Sequence, residues 1–306
     1  MITLERASRW YGQVIGLNDV TCSIGPGITA LLGPNGAGKS SMLKLITGQL
    51  RPTTGKVTMF GLDPFANPNV YNRMGYCPEI ESAYDEVTGR QFVSLMATLA
   101  GLRGETHKRS VTNALQLVDM ESAASRKMGG YSKGMRQRIK VAQAIVHDPQ
   151  VLILDEPFNG LDPVSRRDMG LVLSNLANQG KCVLLSSHIL HEVEQMTSTV
   201  LMLYKGRLLA SGNVREIRGL IDRFPHKISV ESDRVRELAE HLISLESVIG
   251  VKLDSTNRNR LEIETSTPDR FYSDFPAMVL EHKFQITRFY SPDNNLESVF
   301  HYLIQG

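Results

Sequence analysis

The sequence predicts an α/β protein in which a parallel β-sheet is covered on both faces, followed by a small α+β domain. Largely apolar runs at Ile28–Leu32, Val151–Leu154 and Cys182–Leu185 predict the sheet, because strands buried on both faces carry near-continuous apolar side chains. Helical patterns and glycine-rich turns separate these runs. The order of elements changes after about residue 220, so we expect one domain over 1–220 and another over 221–306.

Composition and charge narrow the classes of function. Hydrophobic residues make up 42% of the 306 residues, and 34 basic against 32 acidic residues leave a net charge of +2. No basic excess of the kind that marks a nucleic-acid-binding protein is present, so we expect no nucleic acid partner. Three scattered cysteines predict a reducing, cytoplasmic compartment. We see no secretory signal and no apolar run near the ~20 residues of a membrane-spanning helix, so a membrane role would require a partner.

Helices are expected between the strands of the sheet, in an insertion over about residues 84–149. A capping-box pattern at Thr88–Gln91 opens its first helix, which has apolar positions at helical spacing. These positions are Phe92, Leu95, Met96 and Leu99. A later helix is expected to carry Met135, Ile139, Ala142 and Ile145 on one face. Asp162 and Pro163 predict another helix start, as N-cap and first helical residue.

The C-terminal 86 residues, 221–306, predict the order β-α-β-β-α-β, which is that of the ferredoxin-like fold. The expected elements are strand His226–Glu231, helix Asp233–Leu245, strands Val248–Leu253 and Leu261–Ile263, helix Pro268–His282 and strand Phe284–Tyr290, with a final helix at Leu296–Ile304. Phe271, Tyr272 and Phe275 are expected to fill the core of this domain, and an aromatic ligand cage is the alternative. The segment has no cluster of titratable residues that would indicate catalysis.

A glycine-rich loop between an apolar strand and a helix predicts a phosphate-binding site. Its sequence fits the pattern GxxxxGK[ST], in which backbone N–H groups curl around phosphate oxygens. The residues expected to bind nucleotide here are Gly33, Pro34, Asn35, Gly36, Ala37, Gly38, Lys39, Ser40 and Ser41. Lys39 is expected to reach the β- and γ-phosphates, and the Ser40 hydroxyl to ligate Mg²⁺. A plain glycine-rich turn is the structural alternative.

Polar residues at the ends of two other predicted strands supply candidate catalytic groups. Asp155 ends the strand Val151–Leu154 and suits a Mg²⁺ ion, while Glu156 beside it could orient or deprotonate an attacking water. His188 follows the third strand, where it could contact a γ-phosphate or hold the water. An acidic strand end and a structural histidine are the alternatives. A transition-metal pair of His188 with His191 lacks further supporting ligands.

The glycine-rich loop, the Asp155–Glu156 pair and His188, in this order and spacing, resemble the ATP-binding subunit of the ABC transporter family. The resemblance covers roughly the first 220 residues. The segment Tyr131–Arg138 resembles the family's signature sequence at the start of a helix, and Gly160–Asp162 resembles its D-loop. Tyr11 and Gly12 resemble the A-loop, whose aromatic ring stacks on adenine. Tyr76–Glu79 lies at the position of the Q-loop.

The resemblance implies a P-loop ATPase domain with a RecA-like α/β core, an antiparallel β subdomain and a helical subdomain. It implies ATP and Mg²⁺ as cofactors, with Ser40, Asp155 and Glu79 serving the metal. Glu156 and His188 would be catalytic. Two copies would close head to tail, so that Ser132 and Gly134 of one chain contact the ATP held by the other, and Asp162 couples the two sites.

At two positions the sequence departs from the family pattern, and these departures affect the residue roles that the resemblance implies. The signature reads Tyr-Ser-Lys-Gly-Met where Leu-Ser-Gly-Gly-Gln is commonest, and Glu79 stands where glutamine is usual. A carboxylate at 79 could still reach Mg²⁺, but it donates no amide hydrogen bond. Both departures resemble subunits that serve ABC-2-type permeases, many of them exporters. The segment Asn295–Phe300 resembles a motif near the end of an accessory domain found on some of those subunits.

The resemblance implies an ATP-hydrolysing subunit that drives transport, expected to be export, by a separate integral-membrane permease on whose cytoplasmic side it sits. It implies a second ATPase subunit, either an identical copy or a related chain. An ABC ATPase acting on ribosomes or DNA is the alternative, although such proteins usually carry two ATPase domains or long coiled-coil insertions. A regulatory module without ATPase activity is a further alternative, and the intact set Lys39, Asp155, Glu156 and His188 argues against it.

Overall fold

The structure of the chain, a computed structural model, describes residues 1–79, 84–189, 193, 196–197, 199–213, 217, 225–292 and 300. The chain divides into two compact units, Met1–Gly212 and Asn213–Gly306. The predicted domain boundary at residue 220 lies outside the described residues and stays a prediction.

The described strands and helices alternate in the first unit and form a second, smaller α+β set afterwards. The strands are β1 Ile2–Tyr11, β2 Val14–Ile24, β3 Gly27–Leu32, β4 Thr54–Met59, β5 Met74–Cys77, β6 Val151–Leu154, β7 Cys182–Ser187, β8 Thr199–Tyr204, β9 Arg207–Asn213, β10 His226–Ser232, β11 Gly250–Leu253, β12 Arg260–Thr265 and β13 Ile286–Tyr290. The helices are α1 Lys39–Ile46, α2 Pro68–Tyr71, α3 Gly89–Leu99, α4 Gly104–Leu117, α5 Lys133–Ile145, α6 Pro163–Asn178, α7 Val235–Ile243 and α8 Pro268–Glu281.

A six-stranded sheet in the order β5-β6-β7-β3-β8-β9 forms the centre of the first unit. The neighbouring pairs from β5 to β8 are parallel, as the aliphatic runs predict. β7 continues through Ser186 and Ser187, which are buried, so His188 follows the end of this strand as predicted. Because the strands are parallel, the carboxyl ends of β3, β6 and β7 meet at one edge.

A three-stranded antiparallel sheet, β2-β1-β4, accompanies the parallel sheet in the first unit. β1 ends at Tyr11, which pairs with Val14 at the start of β2. This short hairpin brings Tyr11 and Gly16 to the same end of the sheet.

The helical segment agrees with the prediction in its elements and differs in one packed face. Thr88 and Gln91 form both hydrogen bonds of the predicted capping box at the start of α3. However, α3 buries Phe92, Val93 and Ala97, whereas Leu95 and Leu99 are 50% and 73% exposed. Of the four apolar positions at helical spacing, Phe92 therefore belongs to the buried face of α3, whereas Leu95 and Leu99 do not. In α5, Ile139, Ala142 and Ile145 are buried as predicted.

The second unit has the element order β10-α7-β11-β12-α8-β13. Its sheet runs β11-β12-β10-β13 with every pair antiparallel. Phe271 and Phe275 lie in the core, but Tyr272 is 39% exposed, so the prediction that it fills the core is wrong. The predicted final helix lies outside the described residues except Phe300, and so does all of the Asn295–Phe300 motif except its last residue.

Within the described residues, none of the helices combines the length and the apolar character that crossing a membrane would require.

Candidate functional site

The loop between β3 and α1 has the backbone of a phosphate cradle. Gly38 precedes α1 with φ 108° and ψ 3°, and Gly36 has φ 79°. A Cβ atom on Gly38 would lie 2.5 Å from the backbone O of Gly16, and one on Gly33 would lie 2.4 Å from the backbone O of Leu203. Glycine is therefore required at both ends of the loop for the backbone to pass this close to its neighbours.

Lys39 is buried in this loop and faces the acidic end of β6. Its Nζ atom donates a hydrogen bond to the backbone O of Gly33 at 2.7 Å and lies 3.5 Å from Oε1 of Glu156. The two charged side chains are 8% and 10% exposed. The ammonium group is thus held inside the cleft, where it can reach an anion bound by the loop.

Asp155 and Glu156 follow β6 and are linked by Ser186. The Ser186 hydroxyl donates to Oδ1 of Asp155 at 2.6 Å and accepts from the backbone N–H of Glu156 at 2.8 Å. Burial raises the pKa of Asp155, and the Ser186 hydrogen bond opposes this rise. We did not predict Ser186 as a site residue. Only the register of the parallel strands, in which Leu154 pairs with Leu185, brings Ser186 beside Asp155.

Glu156 is fixed between a cation and an imidazole. Its Oε2 atom lies 2.9 Å from Nδ1 of His188, and its Oε1 atom faces Lys39. The residue has φ 50°, a left-handed conformation that is costly for a side chain other than glycine or asparagine. The Glu156 carboxylate lines the cleft, where it can take a proton from a water molecule.

An open cleft of about 550 Å³ collects most of the predicted site residues. Its lining consists of Tyr11, Val14, Ile15, Gly16, the loop from Pro34 to Ser41, Glu79, Asp155, Glu156, Asn159 and His188. Val14, Ile15, Gly16 and Asn159 were not predicted, because none belongs to a contiguous sequence motif. The cleft thus joins a phosphate cradle, two acids and a histidine.

The predicted metal ligands Ser40, Asp155 and Glu79 all lie along this cleft. They offer hydroxyl and carboxylate oxygens, the donors that Mg²⁺ prefers. Glu79 is exposed, and its backbone O accepts a hydrogen bond from Nζ of Lys140 at 2.8 Å. The donor set therefore fits Mg²⁺.

Ser132, Gly134 and Asp162 are absent from the lining of that cleft. Ser132 caps α5 by accepting from the backbone N–H of Met135 at 3.2 Å, and together with Gly134 it lines a separate cleft of about 310 Å³. Asp162 caps α6 by accepting hydrogen bonds from the backbone N–H of Ser165 at 3.0 Å and from its hydroxyl at 2.7 Å, and these two bonds lower the pKa of Asp162. The structure of one chain therefore holds two separate sets of site residues.

Comparison with known proteins places this geometry among nucleotide-binding cassettes. A family model described as ABC transporter matches residues 17–159. An uncharacterized ABC transporter ATP-binding protein of Nostoc sp. is 38% identical over 70% of this chain, and this chain spans 65% of that protein's length. The bacitracin transport ATP-binding protein of Enterococcus faecalis is 31% identical over 100% of this chain and 97% of its own length.

A solved structure of an ATP-binding subunit of an ABC transporter is similar in fold. It has 31% sequence identity and a TM-score of 0.65, covering 71% of this chain and 92% of that one. This likeness confirms the predicted P-loop ATPase fold of the first unit.

Proposed function

Because the chain belongs to the ABC transporter family of ATP-binding proteins, we propose that it is an ATP-hydrolysing subunit that drives export by a separate permease. The observation that carries this proposal is the cleft in which the phosphate loop, Asp155, Glu156 and His188 lie together. Phosphoryl transfer to water requires a phosphate cradle, charge neutralisation and a group that orients the water. All three are supplied by this cleft.

Each side chain has a distinct role in this proposal. Backbone N–H groups of the loop and Lys39 bind the β- and γ-phosphates, and Tyr11 stacks on the base. Bound Mg²⁺, held through Ser40, Asp155 and Glu79, would neutralise charge on the phosphate oxygens. Glu156 takes a proton from the attacking water. His188 holds the Glu156 carboxylate through its 2.9 Å contact and senses the γ-phosphate.

Phosphate entry also changes the partners of Lys39. The ammonium group contacts both the Gly33 carbonyl and Glu156. A γ-phosphate carries more negative charge than either group and attracts Lys39 away from Glu156. Nucleotide binding thereby frees the carboxylate to act as a base.

We further propose that two subunits complete each site between them. Ser132, Gly134 and the start of α5 lie outside the phosphate-loop cleft of their own chain. A hydroxyl, a glycine backbone and a helix N-terminus together suit a phosphate group. In a head-to-tail dimer they would meet the ATP of the other chain, and Asp162 would couple the two sites.

The proposed membrane partner is an ABC-2-type permease, beneath which the ATPase sits on the cytoplasmic face of the membrane. Support comes from the signature Tyr131–Arg138 and from Glu79, both of which resemble subunits of that type. Similarity along the whole length of a bacitracin transport ATP-binding protein supports a role in transport. We propose that the second unit stabilises the dimer or regulates hydrolysis.

A Glu156→Gln substitution tests the proposed chemistry. We expect ATP binding to persist while turnover falls by about 10²-fold or more, because the amide cannot accept the proton from water. We also expect ATP to trap the dimer. A Glu105→Gln change on the exposed surface of α4 is the matched control and should leave turnover unchanged. Turnover of Glu156→Gln near the control rate would remove Glu156 from the role of base.

Crosslinking in the Glu156→Gln chain tests whether two subunits complete each ATP site between them. Asn35→Cys in one chain and Ser132→Cys in another should be joined by a short bismaleimide only when ATP is present. The native cysteines give little background, because burial raises the pKa of Cys22 and Cys182 to about 11 and of Cys77 to about 12. Crosslinking that ignores ATP would contradict the proposed dimer.

A further inference from the structure

Helix α5 is attached to β5 and the residues after it by polar side chains that lie on one face of the helix. Gln143 donates a hydrogen bond from Nε2 to the backbone O of Tyr76 at 2.8 Å. Lys140, three residues earlier and therefore on the same face, donates from Nζ to the backbone O of Glu79, also at 2.8 Å. The two bonds have the same length and the same kind of acceptor, but their donors differ in charge.

Packing alone does not explain a lysine at position 140. The residue is 8% exposed, so its ammonium group is largely removed from water. Burying an ammonium group is costly, and an unbranched apolar side chain would fill the same space without that cost. Burial raises the pKa of Asp155, whereas the charge of Lys140 favours the ionised form of that carboxyl. The ammonium group thus acts on the Glu79 carbonyl and on the acidic end of β6.

The Glu79 carbonyl matters because the same residue lines the phosphate-loop cleft. Glu79 lies there with Ser40 and Asp155, the other proposed metal ligands. It is two residues past the end of β5, beyond the last strand pair, which Cys77 forms. The main chain at Glu79 is therefore held by bonds from outside the strand pairing, and Lys140 supplies one of them.

We propose that Lys140 is a positioning residue for the metal ion, whose ammonium group holds the main chain of Glu79 and thereby keeps the Glu79 carboxylate at the metal end of the cleft. This inference rests on the proposed function, because it takes the cleft as the site of a nucleotide and its metal ion. A lysine that acted by charge alone would have the opposite effect, since a buried cation near the site repels Mg²⁺. The sign of the effect on metal affinity therefore separates positioning from charge.

Lys140→Met tests that sign, with Mn²⁺ as the probe because it takes the same oxygen ligands as Mg²⁺. Electron paramagnetic resonance measures the Kd for Mn²⁺ in the chain saturated with a non-hydrolysable ATP analogue. We expect this Kd to rise by about tenfold, as when a partner that orients a metal ligand is removed. The Kd for the analogue in EDTA should not change, because Lys140 is absent from the lining of the cleft. An unchanged or lower Kd for Mn²⁺ would overturn the proposal.

Two further variants exclude a general effect on the fold. Gln143→Met makes the same replacement on the same face and removes an equally long bond to a backbone carbonyl, so it is the matched control. It should leave the Kd for Mn²⁺ unchanged, and an equal rise in this variant would overturn the specific role of Lys140. Lys140→Leu, a second apolar replacement, should give the same rise as Lys140→Met.

A double-mutant cycle assigns the effect to the Glu79 side chain. In Glu79→Ala the carboxylate is gone, so adding Lys140→Met should raise the Kd for Mn²⁺ no further. A rise as large as in the wild-type background would overturn the positioning of Glu79, because Lys140 would then act on another ligand.

Proteolysis tests the attachment of Glu79 without metal or nucleotide. A glutamyl endopeptidase should cut after Glu79 faster in Lys140→Met than in Gln143→Met, because a main chain released from its partner opens more readily to a protease. Equal rates of cleavage in the two variants would overturn the attachment. Failure of the wild-type chain to bind the ATP analogue with Mn²⁺ would instead overturn the proposed ATP site alone.

Discussion

Asp155 shows how a single side chain can be costly to the empty protein and useful to the loaded one. The residue is 7% exposed, and its carboxyl accepts a hydrogen bond from the Ser186 hydroxyl. Ionising a carboxyl removed from water is unfavourable, which is why burial raises its pKa above the usual 3.8. A bound metal ion would offset this cost, so the unfavourable burial belongs to function and not to stability.

Asp155→Asn is expected to stabilise the nucleotide-free chain at pH 7. The raised pKa means that the folded chain binds this proton more tightly than the unfolded chain does. Ionised Asp155 therefore costs stability at every pH above the folded pKa, and the cost disappears as pH falls to about the ordinary value of 3.8. Thermal unfolding should give a higher Tm for Asp155→Asn at pH 7, and the difference should shrink as the pH is lowered towards 4.

Two comparisons check the origin of that effect. Asp119→Asn alters a largely exposed carboxylate, with 92% of its side chain accessible, and should show no comparable gain. In saturating Mg-ATP the wild-type chain should have a higher Tm than Asp155→Asn, because only the wild-type chain keeps the metal ligand. A lower Tm for Asp155→Asn at pH 7 without nucleotide would contradict the cost of burial.

Lys39 and Glu156 share a buried site in which each depends on the other. Their charges lie 3.5 Å apart with little access to water. Removing one partner leaves the other buried and uncompensated, which is more damaging than losing an exposed pair. His188 adds a second contact to Glu156, so this carboxylate is held from two sides.

Among the elements, the phosphate loop depends on glycine to different degrees along its length. Gly36→Ala places a side chain in open space and adds only left-handed strain, about 1–2 kcal/mol. Gly38→Ala adds strain at φ 108° and also a Cβ 2.5 Å from the Gly16 carbonyl, an atom of a paired strand. We expect Gly38→Ala to lower the free energy of unfolding by about 3 kcal/mol or more.

Urea unfolding of both variants without nucleotide measures this difference. Gly36→Ala is the matched control, because it makes the same chemical change in the same loop without the backbone contact. If the two variants lost the same free energy of unfolding, the left-handed backbone conformation alone would explain the glycine at position 38, and the close approach to β2 would not.

Contiguous motifs made most of the site predictable. The loop from Gly33 to Ser41 lies between a strand and a helix, so local pattern alone places it at the end of β3. Asp155 and Glu156 follow an aliphatic strand for the same reason. Ser186 and Gly16 escaped prediction because their partners are distant in sequence, and only strand register and hairpin pairing bring them to the cleft.

Helix α3 shows a second limit of sequence periodicity. Apolar residues occupy both the Phe92–Val93–Ala97 side and the Leu95–Leu99 side, so spacing alone does not choose the buried face. Packing against the other helices of the segment decides it. The capping box at Thr88 was predictable because it depends only on residues within one turn.

In the whole chain, the two units have separate hydrophobic cores. The core around the phosphate loop includes Leu31, Leu43 and Ile153, and the core of the second unit includes Ile228, Leu261 and Phe271. No residue belongs to both clusters in the described part of the chain. A unit with its own core can fold alone, so the first unit should need nothing from the second to bind nucleotide.

Truncation after residue 220 tests this independence. The shortened chain is expected to fold and to bind Mg-ATP with a Kd within about threefold of the full chain, because every described residue that lines the phosphate-loop cleft belongs to the first unit. Loss of ATP-dependent dimerisation or a changed turnover rate would then assign that role to the second unit. Phe271→Ala in the full chain is the companion variant, because emptying this buried site costs about 3–5 kcal/mol and should unfold the second unit without removing it. A truncated chain with native circular dichroism but no ATP binding would show that the cleft depends on the second unit, contrary to the separation of the cores.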